Sequence, residues 1–401
     1  MNASEGAIHL PEGFSFSAVA AGIKVSGRLD LALIEAAPAA TAAALFTKNR
    51  VVAAPIEVGR AALARAGRVR AVIVNSGNAN CATGKNGLQA CRRVCGEAAR
   101  VLKVPSAQVF PSSTGIIGVP LPAEKIIAKI PMLMASRQPT EAALAQFAQA
   151  IMTTDTRPKI ASARIACDGI PVNLCGVAKG SGMIHPQLAT MLVYILTDIA
   201  AGPAALKQSL RRACNDSFNC ISVDGDTSTN DTVLLLASGQ SGVNLRNSAA
   251  QKSFPAALLS VCQSLAEQIV ADGEGVQHVI HLSIERASNR AEALHVARAI
   301  AHSLLVKTAW AGADPNWGRI LAAAGNSGVP IDPSRISIYI GEQPVCRNGA
   351  VCGFDQARAH HDLSQPRCAI RVQLGRGRES AAFTTTDLTA EYVRINADYS
   401  T

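Results

Sequence analysis

Lys179-Gly180-Ser181-Gly182-Met183-Ile184-His185-Pro186-Gln187-Leu188-Ala189-Thr190-Met191-Leu192 is the stretch on which the reading of this 401-residue chain turns. Glycines at 180 and 182 admit backbone conformations that other residues resist. Pro186 stiffens the approach and removes an amide donor. A single hydroxyl, Thr190, is thereby delivered to the start of the apolar run Met-Leu-Val-Tyr-Ile-Leu. Two chemistries fit. A hydroxyl residue just before a long apolar run is a good helix N-cap. Alternatively, the bond between Ala189 and Thr190 breaks itself and Thr190 becomes an N-terminal nucleophile. Its freed α-amino group, with an ordinary pKa of about 7.7–8.0, then serves as the base that a threonine hydroxyl needs. The residue types alone leave both open.

Bulk properties narrow the class. Hydrophobic residues make up 48% and charged ones only 17%, which describes a compact globular protein long enough for two or three domains. Aromatics are scarce at 4%, so the core must be built from Ala, Val, Leu and Ile. The start, Met1-Asn2-Ala3-Ser4-Glu5, lacks the basic and apolar regions of a signal peptide. No run reaches the roughly 18–20 apolar residues of a membrane span; the segment after Thr190 is interrupted by Asp198, Gly202 and Pro203. The expectation is a soluble, cytoplasmic protein with no membrane partner. Among the 11 cysteines only Cys91 and Cys95 share a short spacing, and with Leu88, Val94 and Leu102 they read as one buried helical face. An odd count without a CxxC motif points to reduced thiols and no structural metal.

The net charge of +9 is unevenly placed: residues 1–189 carry 20 Lys+Arg against 10 Asp+Glu, and residues 190–401 carry 18 against 19. The basic residues are dispersed and have few aromatics near them, which argues against nucleic acid. A diffuse positive field suits small acidic substrates, or is simply a solvated surface.

Short β-branched runs at 69–74 and 233–237 predict buried strands, and periodicity predicts helices over 86–102, 140–152, 203–214, 255–271 and 288–305, the last with Ser288 as N-cap. Strands and helices that do not alternate regularly point to layered α/β packing more than to a doubly wound sheet.

The Lys-Gly-Ser-Gly-Met-Ile-His-Pro-x-x-Ala-Thr-Met-Leu run closely resembles the self-processing segment of the ArgJ family, the ornithine acetyltransferases (glutamate N-acetyltransferases) of arginine biosynthesis. Further matches follow in order along the chain: Val74-Asn75-Ser76-Gly77-Asn78-Ala79-Asn80, Ser113-Thr114-Gly115-Ile116-Ile117-Gly118, Met152-Thr153-Thr154-Asp155-Thr156, Ser222 to Thr232, Asp314-Pro315-Asn316-Trp317-Gly318-Arg319-Ile320, and Asn396 to Thr401. The departure is mild: Leu196-Thr197-Asp198-Ile199 stands where Thr-Thr-Asp-Ala is more usual. The resemblance implies an α/β fold, a layered αββα-type sandwich of the DmpA/ArgJ kind with a smaller domain in the C-terminal half. It also implies cleavage between Ala189 and Thr190 into an alpha chain, 1–189, and a beta chain, 190–401.

The resemblance assigns roles residue by residue. Thr190 would attack the preceding carbonyl in maturation, then carry acetyl from N-acetylornithine to glutamate in a ping-pong exchange. Thr114 and Gly115 would form the oxyanion hole. Lys179 would meet a substrate carboxylate, Glu274 the cationic group of ornithine, and Thr154, Asn396 and Thr401 would contact substrate, with Thr153 and Thr156 close enough to exchange places with Thr154. No cofactor or metal is implied, although some family members take acetyl-CoA as donor. The two pieces would stay together, and two of each would make a heterotetramer. Three other features rank lower. The Asp224–Asp231 loop lacks the glutamate of a calcium loop and reads as a turn and active-site wall. His295 and His302 read as one helical face. His185 is a weaker base candidate than the α-amine. The rivals are an N-terminal-nucleophile aminopeptidase or amidase, in which water accepts the acyl group, and a basic binding protein in which Thr190 only caps a helix.

Overall fold

A computed structural model describes residues 7–185 and 191–398; Ala189, Thr190 and Thr401 lie outside the described residues. Eight strands form one sheet: β1 (Phe14–Val19), β2 (Leu31–Phe46), β3 (Arg68–Asn78), β4 (Val109–Ile116), β5 (Lys159–Cys167), β6 (Ile170–Lys179), β7 (Leu192–Thr197) and β8 (Thr232–Ala237). Their order is β4-β3-β2-β8-β7-β6-β5, with β1 also paired to β2. The 16-residue β2 serves both halves. Leu31–Glu35 pairs with β3, Thr41–Phe46 pairs with β8, and the register to β3 shifts between Glu35 and Ala40.

The period of two along each strand sorts side chains into layers. Ala32, Ile34, Val72 and Val74 from one half share a buried cluster with Tyr194, Leu234 and Leu236 from the other, so the sheet folds over along β2 and packs on itself. The alternate residues Leu31, Leu33, Ala71 and Ile73 face outward onto helices Gly84–Leu102 and Ala123–Ala135. On the far side Val193, Ile195, Val233 and Leu235 meet helices Pro203–Asn215 and Ser248–Val270. These four layers are the expected αββα sandwich. A second sheet, β9 (Val279–Ala287), β10 (Ser337–Ile340), β11 (Gln343–Arg347), β12 (Ala350–Val351), β13 (Arg367–Gln373) and β14 (Glu379–Thr386), has its own core of Leu282, Ile284, Val296, Ile300, Trp310 and Ile370. This is the smaller domain of the C-terminal half.

Several sequence expectations need correction. The apolar run after Thr190 is strand β7, so there is no helix for Thr190 to cap. The helix expected at 255–271 begins at Ser248, because the Asn247 side chain accepts from Ala249 and Ala250 N–H at 2.8 and 3.1 Å. Pro255 lies well inside it. The helix expected at 288–305 is two, Arg290–Ala301 and Leu304–Ala311. Asn289, not Ser288, caps the first, and Ser303 caps the second. His302 therefore lies beyond the helix that carries His295, and its ring packs on His185 with centroids 4.8 Å apart.

All 11 cysteines are free thiols, and Cys91 and Cys95 are buried together on one helix. Among the described residues no helix is long and apolar enough to cross a membrane. None of these residues forms a cluster of three or more His, Cys, Asp or Glu able to hold a metal ion.

Phe254 is fully buried between the helix Ser248–Val270 and the outer face of the sheet. Phe254→Ala should destabilise the protein by about 3–5 kcal/mol, read as a lower denaturant midpoint with an unchanged slope.

Candidate active site

The glycine-rich segment after β6 is fixed at almost every residue. Lys179 ends β6 and pairs with Leu192 at the start of β7. The Gly180 amide donates to Asp155 Oδ1 at 2.6 Å, and Ser181 Oγ donates to the Asp272 carbonyl at 2.6 Å. Gly182 has no side chain because Glu274 occupies that space: a Cβ there would lie 2.4 Å from Glu274 Oε2. The amides of Met183 and Ile184 donate to the two oxygens of Asp224 at 2.5 and 2.9 Å. Burial pushes the Asp224 carboxyl up to about 6, against these amide hydrogen bonds.

The opposite wall comes from the ends of β3 and β4, which run parallel with Ser76 beside Thr114 and Gly77 beside Gly115. Gly115 has φ +130°, and a Cβ there would sit 2.4 Å from the Gly77 carbonyl carbon. Only glycine fits. Asn230, just before β8, ties this wall to the rest of the site: its Nδ2 donates to the carbonyls of Ala79 at 2.7 Å and Ser113 at 2.8 Å.

Between the walls lies a cavity of about 380 Å³. Thr114, Gly115, Thr154, Lys179, Glu274 and Asn396 all line it, together with Thr153 and Ser228 to Asn230. Asn396, on the last helix, donates from Nδ2 to Glu274 Oε2 at 2.9 Å. The site thus offers one cation and one carboxylate to the same small volume, an arrangement matched to a zwitterionic amino acid.

Beneath the cavity sits a buried charge cluster. Lys159 Nζ lies 2.6 Å from both Asp155 Oδ1 and Asp272 Oδ2, and Lys179 Nζ lies 3.8 Å from Asp155 Oδ2. Burial favours the neutral form of Asp155, but Lys179 and Lys159 outweigh it and hold the carboxyl well below the usual carboxylate range. Burial lowers the Lys179 ammonium from its ordinary value, opposed by Asp155.

Comparison with known proteins bears directly on this arrangement. The family model described as the ArgJ family matches residues 15–401. The chain belongs to the ArgJ family. The arginine biosynthesis bifunctional protein ArgJ of Methylococcus capsulatus is 46% identical over 97% of this chain and 95% of its own. The protein of the same name from Thermus thermophilus is 45% identical over 98% and 100%. Among solved structures, the ornithine acetyltransferase of Mycobacterium tuberculosis complexed with ornithine is 34% identical, covering 44% of this chain and 92% of that one, with a TM-score of 0.39.

In this ArgJ family member the six described site residues named from sequence gather at one cavity, although they come from five separate segments. Of the three neighbouring threonines, Thr153 and Thr154 line it, whereas Thr156 turns away and bonds Asp272 through its amide and its hydroxyl. Sequence reasoning missed Lys159 and Asp272, and gave Asn230 and Asp231 only as part of a turn and active-site wall. The first of these carries a signal in retrospect: a lysine four residues after Asp155, at the start of a strand.

Asp155 yields a prediction with a definite sign. Its folded pKa lies below the unfolded value of about 3.9, so its contribution to stability is present at neutral pH. As pH falls the unfolded chain takes the proton first, and that contribution is lost on the way down to the folded pKa. Asp155→Asn should remove this term, flattening the acid limb of a stability–pH curve while costing about 3–5 kcal/mol at pH 7 by leaving Lys159 and Lys179 under-compensated. Separately, Gly115→Ala should force β3 and β4 apart at the cavity. With the oxyanion role that the family resemblance implies for Gly115, activity should fall by about 10²–10³-fold, with a far smaller change in melting temperature.

Proposed function

We propose that the protein is a self-processing acetyltransferase that moves the acetyl group from N-acetylornithine to glutamate through an acetyl-Thr190 intermediate. The observation that carries this reading is the gathering of Thr114, Gly115, Thr154, Lys179, Glu274 and Asn396 around one cavity, beside the strand that begins two residues after Thr190. Membership of a family whose relatives are named as bifunctional arginine biosynthesis proteins agrees with it.

Thr190 loses its proton to its own α-amine and attacks the acetyl carbonyl. Thr114 and Gly115 stabilise the oxyanion. Ornithine leaves, glutamate takes its place, and its amine accepts the acetyl group from the Thr190 oxygen. Lys179 receives the α-carboxylate common to both substrates, which explains why one cavity serves two reactions. Glu274 meets the δ-ammonium side of ornithine, oriented by Asn396, and Thr401 completes the substrate contacts. Acetyl-CoA serves as an additional donor, in keeping with a bifunctional relative, and no bound cofactor takes part. The chain works in the cytoplasm as fragments 1–189 and 190–401, paired as a heterotetramer.

Denaturing intact-mass analysis with N-terminal sequencing should find two pieces, one beginning Thr190-Met191-Leu192, and Thr190→Ala should give a single inactive chain. Transfer of acetyl to added glutamate, in preference to release of acetate, separates this function from an amidase. Lys179→Ala should lower kcat/KM for both substrates by roughly 10–100-fold, the worth of about 1.5–3 kcal/mol for a charged hydrogen bond. Unchanged kinetics would remove its carboxylate role.

A further inference from the structure

A second cavity, of about 590 Å³, lies against the first and has no part in the function proposed above. Thr153 lines both. Gly77, which lines the second, pairs across β3 and β4 with Gly115, which lines the first. The loop from β1 to β2 closes the outer side and contributes Lys24 and Arg28.

Lys24 is half-buried, and its ammonium has three protons to place. Among the described residues it donates to two backbone carbonyls, Leu29 at 2.9 Å and Ala150 at 3.3 Å, and to no carboxylate. The two acids whose charge reaches it are answered by other groups. Asp30 accepts from the backbone amides of Ala21 at 2.6 Å, Ile23 at 2.6 Å and Lys24 at 2.9 Å. Asp155 is held by Lys159 and by the Gly180 and Thr153 amides. Arg28, exposed on the same loop, adds a second positive charge that acts on the first. Burial lowers the Lys24 ammonium to about 8, with Lys179 and Arg28 adding to the effect and Asp30 and Asp155 opposing it. It is still mostly charged at pH 7, and an incoming anion would relieve both the desolvation and the repulsion.

The first cavity creates a need for such a place. Its lining offers one cation, Lys179, and one carboxylate, Glu274. That pair is complete for a zwitterion whose side chain ends in an ammonium. Glutamate brings a second carboxylate, and a thioester donor such as acetyl-CoA brings phosphates. Neither finds a further cation in that lining, and Glu274 repels both.

We propose that Lys24 and Arg28 form an anion subsite of the active site, reached past Thr153, which holds the second oxyanion of a substrate. That oxyanion is the side-chain carboxylate of glutamate or the phosphate of a thioester donor. The inference rests on the reading of the first cavity as the acetyl-transfer site. N-Acetylornithine, with one carboxylate, has no group for the subsite. Leu29, Met152 and Pro158 supply an apolar flank for the carbon chain that leads to either anion.

Lys24→Met keeps the side chain's length and removes its charge, while Arg28→Ala alters an exposed loop residue and spares the core. Two measurements on the mature protein test them: kinetics with N-acetylornithine or acetyl-CoA as donor to glutamate, and calorimetric titration with glutamate and with CoA. In each variant the KM of one anionic substrate should rise about 10-fold relative to that of N-acetylornithine, the worth of a charged contact. Arg28→Lys should recover most of the loss. A carboxylate source raises the KM and Kd of glutamate with either donor. A phosphate source raises the KM of acetyl-CoA and the Kd of CoA instead. No change in any of these, or an equal change for all three substrates, would overturn the subsite. A wild-type protein that transfers acetyl from neither donor would overturn the functional reading, and the titrations would still decide whether Lys24 and Arg28 hold an anion.

Discussion

Asp155 holds a carboxylate where water cannot reach it, and three loops of the site are arranged to answer that charge. Lys159 and the Gly180 amide meet one oxygen at 2.6 Å; the Thr153 amide at 3.0 Å and Lys179 at 3.8 Å meet the other. Lys159 reaches onward to Asp272, whose own backbone carbonyl takes the Ser181 hydroxyl. A buried ion left without its partners costs several kcal/mol. The segments 153–159, 179–181 and 271–274 must therefore close around this cluster together or not at all. One wall of the cavity, with Thr153, Thr154, Lys179 and Glu274, comes from those same segments. Charge compensation beneath the site is what gives the site its shape.

The cluster also settles which lysine is available for chemistry. Lys159 is fully buried and makes two contacts of 2.6 Å, so its charge is spent inside the protein. Among the described residues Lys179 has a single ion-pair contact, at 3.8 Å, and it lines the cavity. A desolvated ammonium with a distant partner gains more from an incoming carboxylate than an exposed lysine would, because the low local dielectric strengthens the new interaction. Glu274 across the cavity supplies the complementary charge. Together they favour a substrate that carries both signs.

How much of this the sequence revealed depended on whether the controlling interaction was local. The Thr114-Gly115 pair and Glu274 sit in short motifs that the family resemblance picked out, where residue types alone read equally well as a turn and a solvated loop; the αββα layering came with the same resemblance. Helix starts fared worse where two capping residues competed. At 288–289 both Ser and Asn are good caps, and only the three-dimensional path chooses Asn289. Strand and helix were hardest to separate at 191–196, where a short apolar run fits either period; the choice is made by neighbours, since β6 and β8 flank that segment on both sides. The pairing of Lys159 with Asp272 and of Asn230 with Ala79 was illegible because the partners lie 113 and 151 residues apart.

Strand order bears on whether a cut at 189–190 would let the chain fall apart. In the sequence β4-β3-β2-β8-β7-β6-β5, the first two strands of the later piece, β8 and β7, stand between β2 and β6 of the earlier one. β7 pairs with β6 over six residues, Leu192 to Thr197, and β8 pairs with β2 over another six. The inner cluster likewise mixes the two pieces, Ile34 and Val72 against Tyr194 and Leu234. Separating fragments 1–189 and 190–401 would thus split two ladders in the middle of the sheet and expose the core on both sides, at a cost comparable to unfolding the sandwich. A loop joining two adjacent antiparallel strands is the one place where the backbone can be opened without disturbing either ladder. A cut at 189–190 would therefore fall at a point where the fold does not depend on the covalent bond.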